Sequence, residues 1–149
     1  MSVVQTLILK IKAKTHLSDI IDQKIGEYQT AHRDVLCQLR ALIHQVGANT
    51  AGCGQIVEAL KWNQISFLTQ KPKSGTTIRF DKNSSGTISL YVNCNTSLIE
   101  RFRHHYPKDF TYIGTREVVL PADLSVVKTE LAHMIAMALT YHQNKRNQI

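Results

Sequence analysis

Two alternating runs, Thr76–Asp81 and Thr87–Asn93, lie on either side of Asn83-Ser84-Ser85-Gly86. Period-two alternation suits a strand with one buried face, and the Asn-Ser-Ser-Gly stretch suits a tight reversal. The pair therefore predicts an antiparallel hairpin. A second hairpin is predicted where Phe110–Ile113 and Glu117–Leu120 flank Gly114-Thr115. A short apolar strand, Ile65–Leu68, precedes Lys71-Pro72-Lys73-Ser74-Gly75, a turn by composition. Neighbouring antiparallel strands of this kind disfavour a doubly wound, nucleotide-binding fold, which needs parallel βαβ units.

Helical spacing surrounds these strands. Ser18 to Val46 reads as helix interrupted near Gly26–Thr30. In its second half Val35, Leu36, Leu39, Leu42, Ile43 and Val46 form one apolar stripe, with Thr30 suited to cap it and Gly47 to end it. A loop, Ala48–Gly54, then leads to a short helical turn around Ile56–Leu60. Thr96–His105 reads as a helix that stops before Pro107, and a long helix from Asp123 to His142 closes the chain. The expected class is α+β: an antiparallel sheet of about five strands, with the long N- and C-terminal helices packed on one face. Residues 1–17 are set apart as an N-terminal extension and 18–149 as a single domain. The first 14 residues fit an extended segment by alternation of Leu7, Leu9 and Ile11 with lysines. They fit a helix face by Val3, Leu7, Ile8 and Ile11, and both readings stay open.

A chain of 149 residues with 43% apolar and 19% charged residues can bury its own core. No apolar run reaches the roughly 18 residues of a membrane span, and the start lacks the pattern of a signal peptide, so a cytoplasmic location without membrane association is expected. Cys37, Cys53 and Cys94 are an odd set without Cys-x-x-Cys spacing, which argues against a disulfide framework or structural zinc and for small buried or half-buried side chains. The net charge of +7 favours anionic partners, but the bases are scattered, so nucleic acid is disfavoured.

Strand alternation assigns faces. With Ile78 and Phe80 toward the helices, Thr77, Arg79 and Asp81 point away; with Ile88, Leu90, Val92 and Cys94 inward, Ser89, Tyr91 and Asn93 point out beside Arg79. This outer face has two readings: a solvated sheet surface, or a shallow binding surface. Arg79 offers a donor fork for carboxylate or phosphate, Tyr91 an aromatic wall, and Asn93 a donor and an acceptor. Lys61 and Trp62 are placed at its edge and Arg116 beside it. Trp62, the one tryptophan, reads as an anchor in the core or at a rim, or as a roof over one end of the site. Cys94 before a helix start is a candidate nucleophile, but no histidine is placed against it. The histidines lack metal-ligand spacing, so no metal, cofactor or catalytic residue is assigned.

These residues carry a resemblance. Glu58-Ala59-Leu60-Lys61-Trp62, Thr76-Thr77-Ile78-Arg79, Cys94-Asn95-Thr96, Gly114-Thr115-Arg116 and Ala138-Leu139-Thr140-Tyr141-His142 together resemble the YdhG-like family, a domain of unknown function, along roughly residues 18–143. The resemblance implies helices on an antiparallel sheet, loosely frataxin-like, and it brings iron chaperoning as an expectation. Two positions depart from the family, which tends to have Gly at Asn63 and His at Asn93. Iron handling in a frataxin-like way needs a ridge of carboxylates, whereas Asp19, Asp22, Glu27 and Asp34 are diluted here by Lys24 and Arg33. The leading expectation is a binding module for an anionic small molecule or a peptide on the sheet face. The alternatives are an iron-handling chaperone, a cysteine-dependent enzyme, and a homodimer built through the same face.

Overall fold

The computed structural model describes residues 2–146, with side chains described outside 7–18 and 144–146. The chain runs α1 (Val3–Gly26), α2 (Thr30–Asn49), β1 (Gln55–Lys61), β2 (Gln64–Gln70), β3 (Ile78–Lys82) and β4 (Ile88–Tyr91). It continues through α3 (Leu98–His105), β5 (Thr111–Ile113), β6 (Glu117–Val119), a 3₁₀ turn (Leu124–Val127), α4 (Lys128–Leu139) and α5 (Tyr141–Arg146). The strands form one antiparallel sheet in the order β1-β2-β3-β4-β6-β5. The fold is α+β, as the element pattern predicts, with six strands instead of about five.

The extra strand is β1. Its sequence, which reads as a loop and a helical turn around Ile56–Leu60, is instead paired residue for residue with β2 from Gln55↔Gln70 to Lys61↔Gln64. The two-residue connection, Trp62-Asn63, has positive φ at both positions (54° and 60°), the signature of a type I′ turn whose twist matches a hairpin. Pairing with β2 satisfies the backbone groups along one side of the whole segment, a longer ladder than an isolated helical turn provides.

The other hairpins form close to their expected bounds. At the β3–β4 turn, the Asn83 side-chain oxygen accepts from the Ser85 and Thr87 amides. Helix α1 begins at Ser2, whose hydroxyl accepts from Gln5 N while the Gln5 side chain accepts from Ser2 N, so the first residues are helical. The expected boundary between residues 17 and 18 therefore falls inside α1. In helix α2 Gln29, not Thr30, holds the N-cap position, without a side-chain cap bond, and the helix passes through Gly47 to Asn49.

The inward faces of β2, β3, β4 and β6 carry Ile65, Phe67, Ile78, Phe80, Ile88, Leu90 and Val118. They meet the stripe of α2 and, from α4, Leu131, Met134, Ile135 and Ala138, in a single core. The expected continuous helix from Asp123 to His142 is broken at Thr140. The reason lies in the 71–76 turn: the Ala138 carbonyl accepts from Thr76 N at 3.0 Å, and the Leu139 carbonyl accepts from the buried Ser74 hydroxyl at 2.7 Å. His142 N in turn donates to Ser74 O. These bonds divert the backbone groups that would have continued the helix.

Candidate functional site

Pairing sets the residues of the outer face in rows. Ser66, Arg79, Tyr91 and Glu117 form one cross-strand row, and Asp81, Ser89 and Val119 form the next. The face is not uniformly wetted: Ser66 and Ser89 are fully buried beneath their neighbours. Ser89 Oγ donates to Glu117 Oε2 at 2.8 Å and accepts from Asn83 Nδ2 at 2.9 Å. Tyr91 OH donates to the same Glu117 oxygen at 3.4 Å. Burial and the nearby Glu117 carboxylate push the Tyr91 phenol up, so it stays protonated as a donor. Asp81 is held from two sides, by Tyr28 OH at 2.8 Å and Gln64 Nε2 at 3.3 Å.

The acidic groups of this face are thus occupied, whereas Arg79 forms no ion pair among the described residues. Its Nε is buried and has no hydrogen-bond partner there. Beside it lies a pocket of about 250 Å³ lined by Arg79, Arg116, Tyr91, Asn93, Thr76, Thr77, Gln64, Val92 and Cys94. It holds two guanidinium groups and no carboxylate. Two arginines converging on neutral hydroxyl and amide groups can receive a carboxylate or phosphate through charge-assisted bonds.

Four of the expected site residues, Arg79, Tyr91, Asn93 and Arg116, meet in this pocket; Lys61 and Trp62 do not line it. Trp62 is neither a core anchor nor a roof. The residue is 86% exposed at the tip of the β1–β2 turn, where it borders a separate groove. Nor does Cys94 point inward. Strand β4 stops at Tyr91, and Asn93 then turns the chain, its side-chain oxygen accepting from Asn95 N and its carbonyl from Thr96 N. Alternation ends with the strand, which leaves Cys94 exposed in the pocket wall. Cys37 is exposed as well, and only Cys53 is half-buried.

Thr76, Thr77 and Gln64 complete the lining without having been singled out from the sequence. Thr77 points outward by alternation, whereas Gln64 reaches the pocket through the β1–β2 hairpin, which no sequence signal marks. No histidine lines the pocket. Among the described residues no group of three or more His, Cys, Asp or Glu is arranged to hold a metal ion. Two of the four helix carboxylates are drawn into other contacts, Asp22 with Arg40 and Glu27 with Lys24. Also among the described residues, no helix is long and apolar enough to cross a membrane. Comparison with protein-family models, curated proteins and solved structures finds no match to the chain.

Proposed function

We propose that this protein is a small binding module that holds an anionic group, carboxylate or phosphate, in the outer-face pocket. Arg79 and Arg116 are the anchors, and Asn93, Thr76 and Thr77 supply neutral hydrogen bonds. One observation carries the reading: the pocket presents two guanidinium groups, one with a buried unpartnered Nε, and no acid of its own. A buried donor without a partner costs about 1–3 kcal/mol, which an incoming oxyanion recovers. At about 250 Å³ the space is smaller than a drug-sized pocket of about 300–1,000 Å³. The occupant is therefore a small anion, or the charged end of a larger molecule such as a peptide carboxylate.

The test is thermal unfolding with inorganic phosphate, succinate and a short peptide, each against chloride at matched ionic strength. A saturable rise in Tm that disappears in Arg79→Gln and Arg116→Gln supports the reading. A flat response, or one unchanged in both variants, overturns it. A homodimer through the same face would cover the pocket, and sedimentation distinguishes that cause of a flat response.

The YdhG-like assignment belongs with this proposal. It is supported by the positive φ of Asn63, a position where glycine and asparagine are both at ease, so the departure from the family's glycine keeps the turn. Iron handling rests on that resemblance alone. The cysteine-dependent reading gains the exposure of Cys94 in the pocket but lacks an adjacent base. Alkylation of Cys94 no faster than a free thiol at neutral pH counts against it.

A further inference from the structure

We propose that the groove beside the Trp62-Asn63 turn is a second binding site, for a neutral carbohydrate, with the Trp62 indole as its stacking platform. Type I′ turns favour Asn, Asp and Gly at their central positions, because both residues take positive φ. Trp62 occupies the first of them at φ 54°, a conformation that costs a bulky L-residue about 1–2 kcal/mol. The indole itself offsets none of this through burial: the residue is 86% exposed and lies outside the hydrophobic core. A strained, exposed indole is an outlier that points to function.

The surroundings define the ligand class. The groove encloses about 830 Å³, against about 250 Å³ for the arginine pocket. Its fixed charges balance, Lys24 and Lys82 against Glu27 and Asp81, so it does not select an anion. Neutral groups with donor and acceptor capacity line the same groove: Gln29, Asn63 and Ser84, whose side chains make no hydrogen bond among the described residues. Asp81, held by Tyr28 and Gln64, adds an oriented acceptor at the rim. A pyranose matches this arrangement. One face presents weakly positive C–H groups that suit the negative face of an indole, and its rim carries hydroxyls that both donate and accept.

Trp62 is the sole tryptophan, so intrinsic fluorescence reads this groove directly. The full chain is titrated with methyl glucoside, methyl galactoside, N-acetylglucosamine, maltose and adenosine up to about 10 mM, the range of weak single-ring binding. A saturable change with at least one sugar is expected. In Trp62→Asn, followed by saturation-transfer NMR, binding of that sugar falls at least about tenfold while Tm holds or rises, because asparagine relieves the turn. Arg79→Gln leaves the sugar response intact, which separates this site from the anion pocket. A flat titration for every sugar, a response to adenosine alone, or undiminished binding in Trp62→Asn overturns the proposal.

Discussion

Arg40 grips Glu58 with two bonds, Nε to Oε2 at 2.7 Å and Nη2 to Oε1 at 2.8 Å, and so ties helix α2 to the edge strand β1. The fork is bidentate and largely shielded, with side-chain exposures of 20% and 14%. Nη1 of the same arginine reaches Asp22 of α1 at 2.6 Å, and His44 Nε2 lies 2.8 Å from Glu58 Oε2. One guanidinium therefore fastens two helices to a strand that has a neighbour on one side only, where an edge is otherwise open to misplaced pairing.

Removing one member of this group should be costly. Glu58→Ala is expected to lower stability by about 1–3 kcal/mol, since a shielded bidentate pair is lost while Arg40 keeps its bond to Asp22. Urea unfolding measures it. The pH dependence has a definite sign. Burial alone would raise the Glu58 carboxyl, but the bonds and charges of Arg40 and His44 outweigh it and hold the group below its ordinary value. A depressed carboxyl contributes stability above its unfolded value of about 4.3, and that contribution is lost as pH falls through the folded value. The gap between the native chain and Glu58→Gln should thus be full at neutral pH and close progressively below about pH 4. A gap that stays constant through the acid range would refute this account.

Glu58 also shows where the sequence is silent. Hairpins with polar turns, such as Asn83 to Gly86, can be read because turn and alternation agree. The β1–β2 hairpin hides its turn under a tryptophan, and Ile56, Val57, Ala59 and Leu60 read as helix as easily as strand. The break at Thr140 depends on the remote Ser74, and no local signal announces it. The site was legible to the same extent: Arg79 and Tyr91 follow from alternation inside strands, whereas Cys94 lies past the strand end, where alternation no longer applies. Lys61 ends that hidden strand and Trp62 begins its turn, so neither position follows from the pattern.

The β1–β2 turn offers a direct check on the fold. Asn63 has φ 60°, which asparagine tolerates and β-branched residues do not. Asn63→Gly should leave stability within about 0.5 kcal/mol of the native value, whereas Asn63→Val should cost about 1–2 kcal/mol. If the segment were helical, the glycine would be the more damaging of the two, so the order of the midpoints decides between the readings.

Arg79 is half-buried and should tolerate the loss of its charge. Its Nε lacks a partner among the described residues, so Arg79→Met exchanges a poorly satisfied charge for an apolar side chain that can pack against Tyr91. The ligand-free protein is expected to lose less than about 1 kcal/mol, or to gain slightly. Saturating phosphate should stabilise the native chain by about 2.7 kcal/mol at a hundredfold excess over Kd and leave the variant unmoved. A large loss without ligand would mean that Arg79 is a structural residue.

Ser74 is the small residue on which the closing helices depend. Its hydroxyl accepts from Gly54 N at 2.9 Å and donates to Leu139 O at 2.7 Å, and it is 3% exposed. Beside it Gly75 permits close approach: a Cβ there would stand 2.5 Å from the Ala138 carbonyl oxygen, which already accepts from Thr76 N. Ser74→Ala strands a buried amide and leaves a carbonyl underused, for an expected loss of about 1–3 kcal/mol. Gly75→Ala forces two backbones apart and should cost at least as much, about 2 kcal/mol or more, with no hydrogen bond deleted. Hydrogen exchange separates the two effects. Ser74→Ala should expose the amide of Gly54 first, since the His142 amide keeps the Ser74 carbonyl, while Gly75→Ala should loosen Thr76 and the end of α4 together. Uniform loss of protection across the sheet in both variants would show that this clamp has no local role.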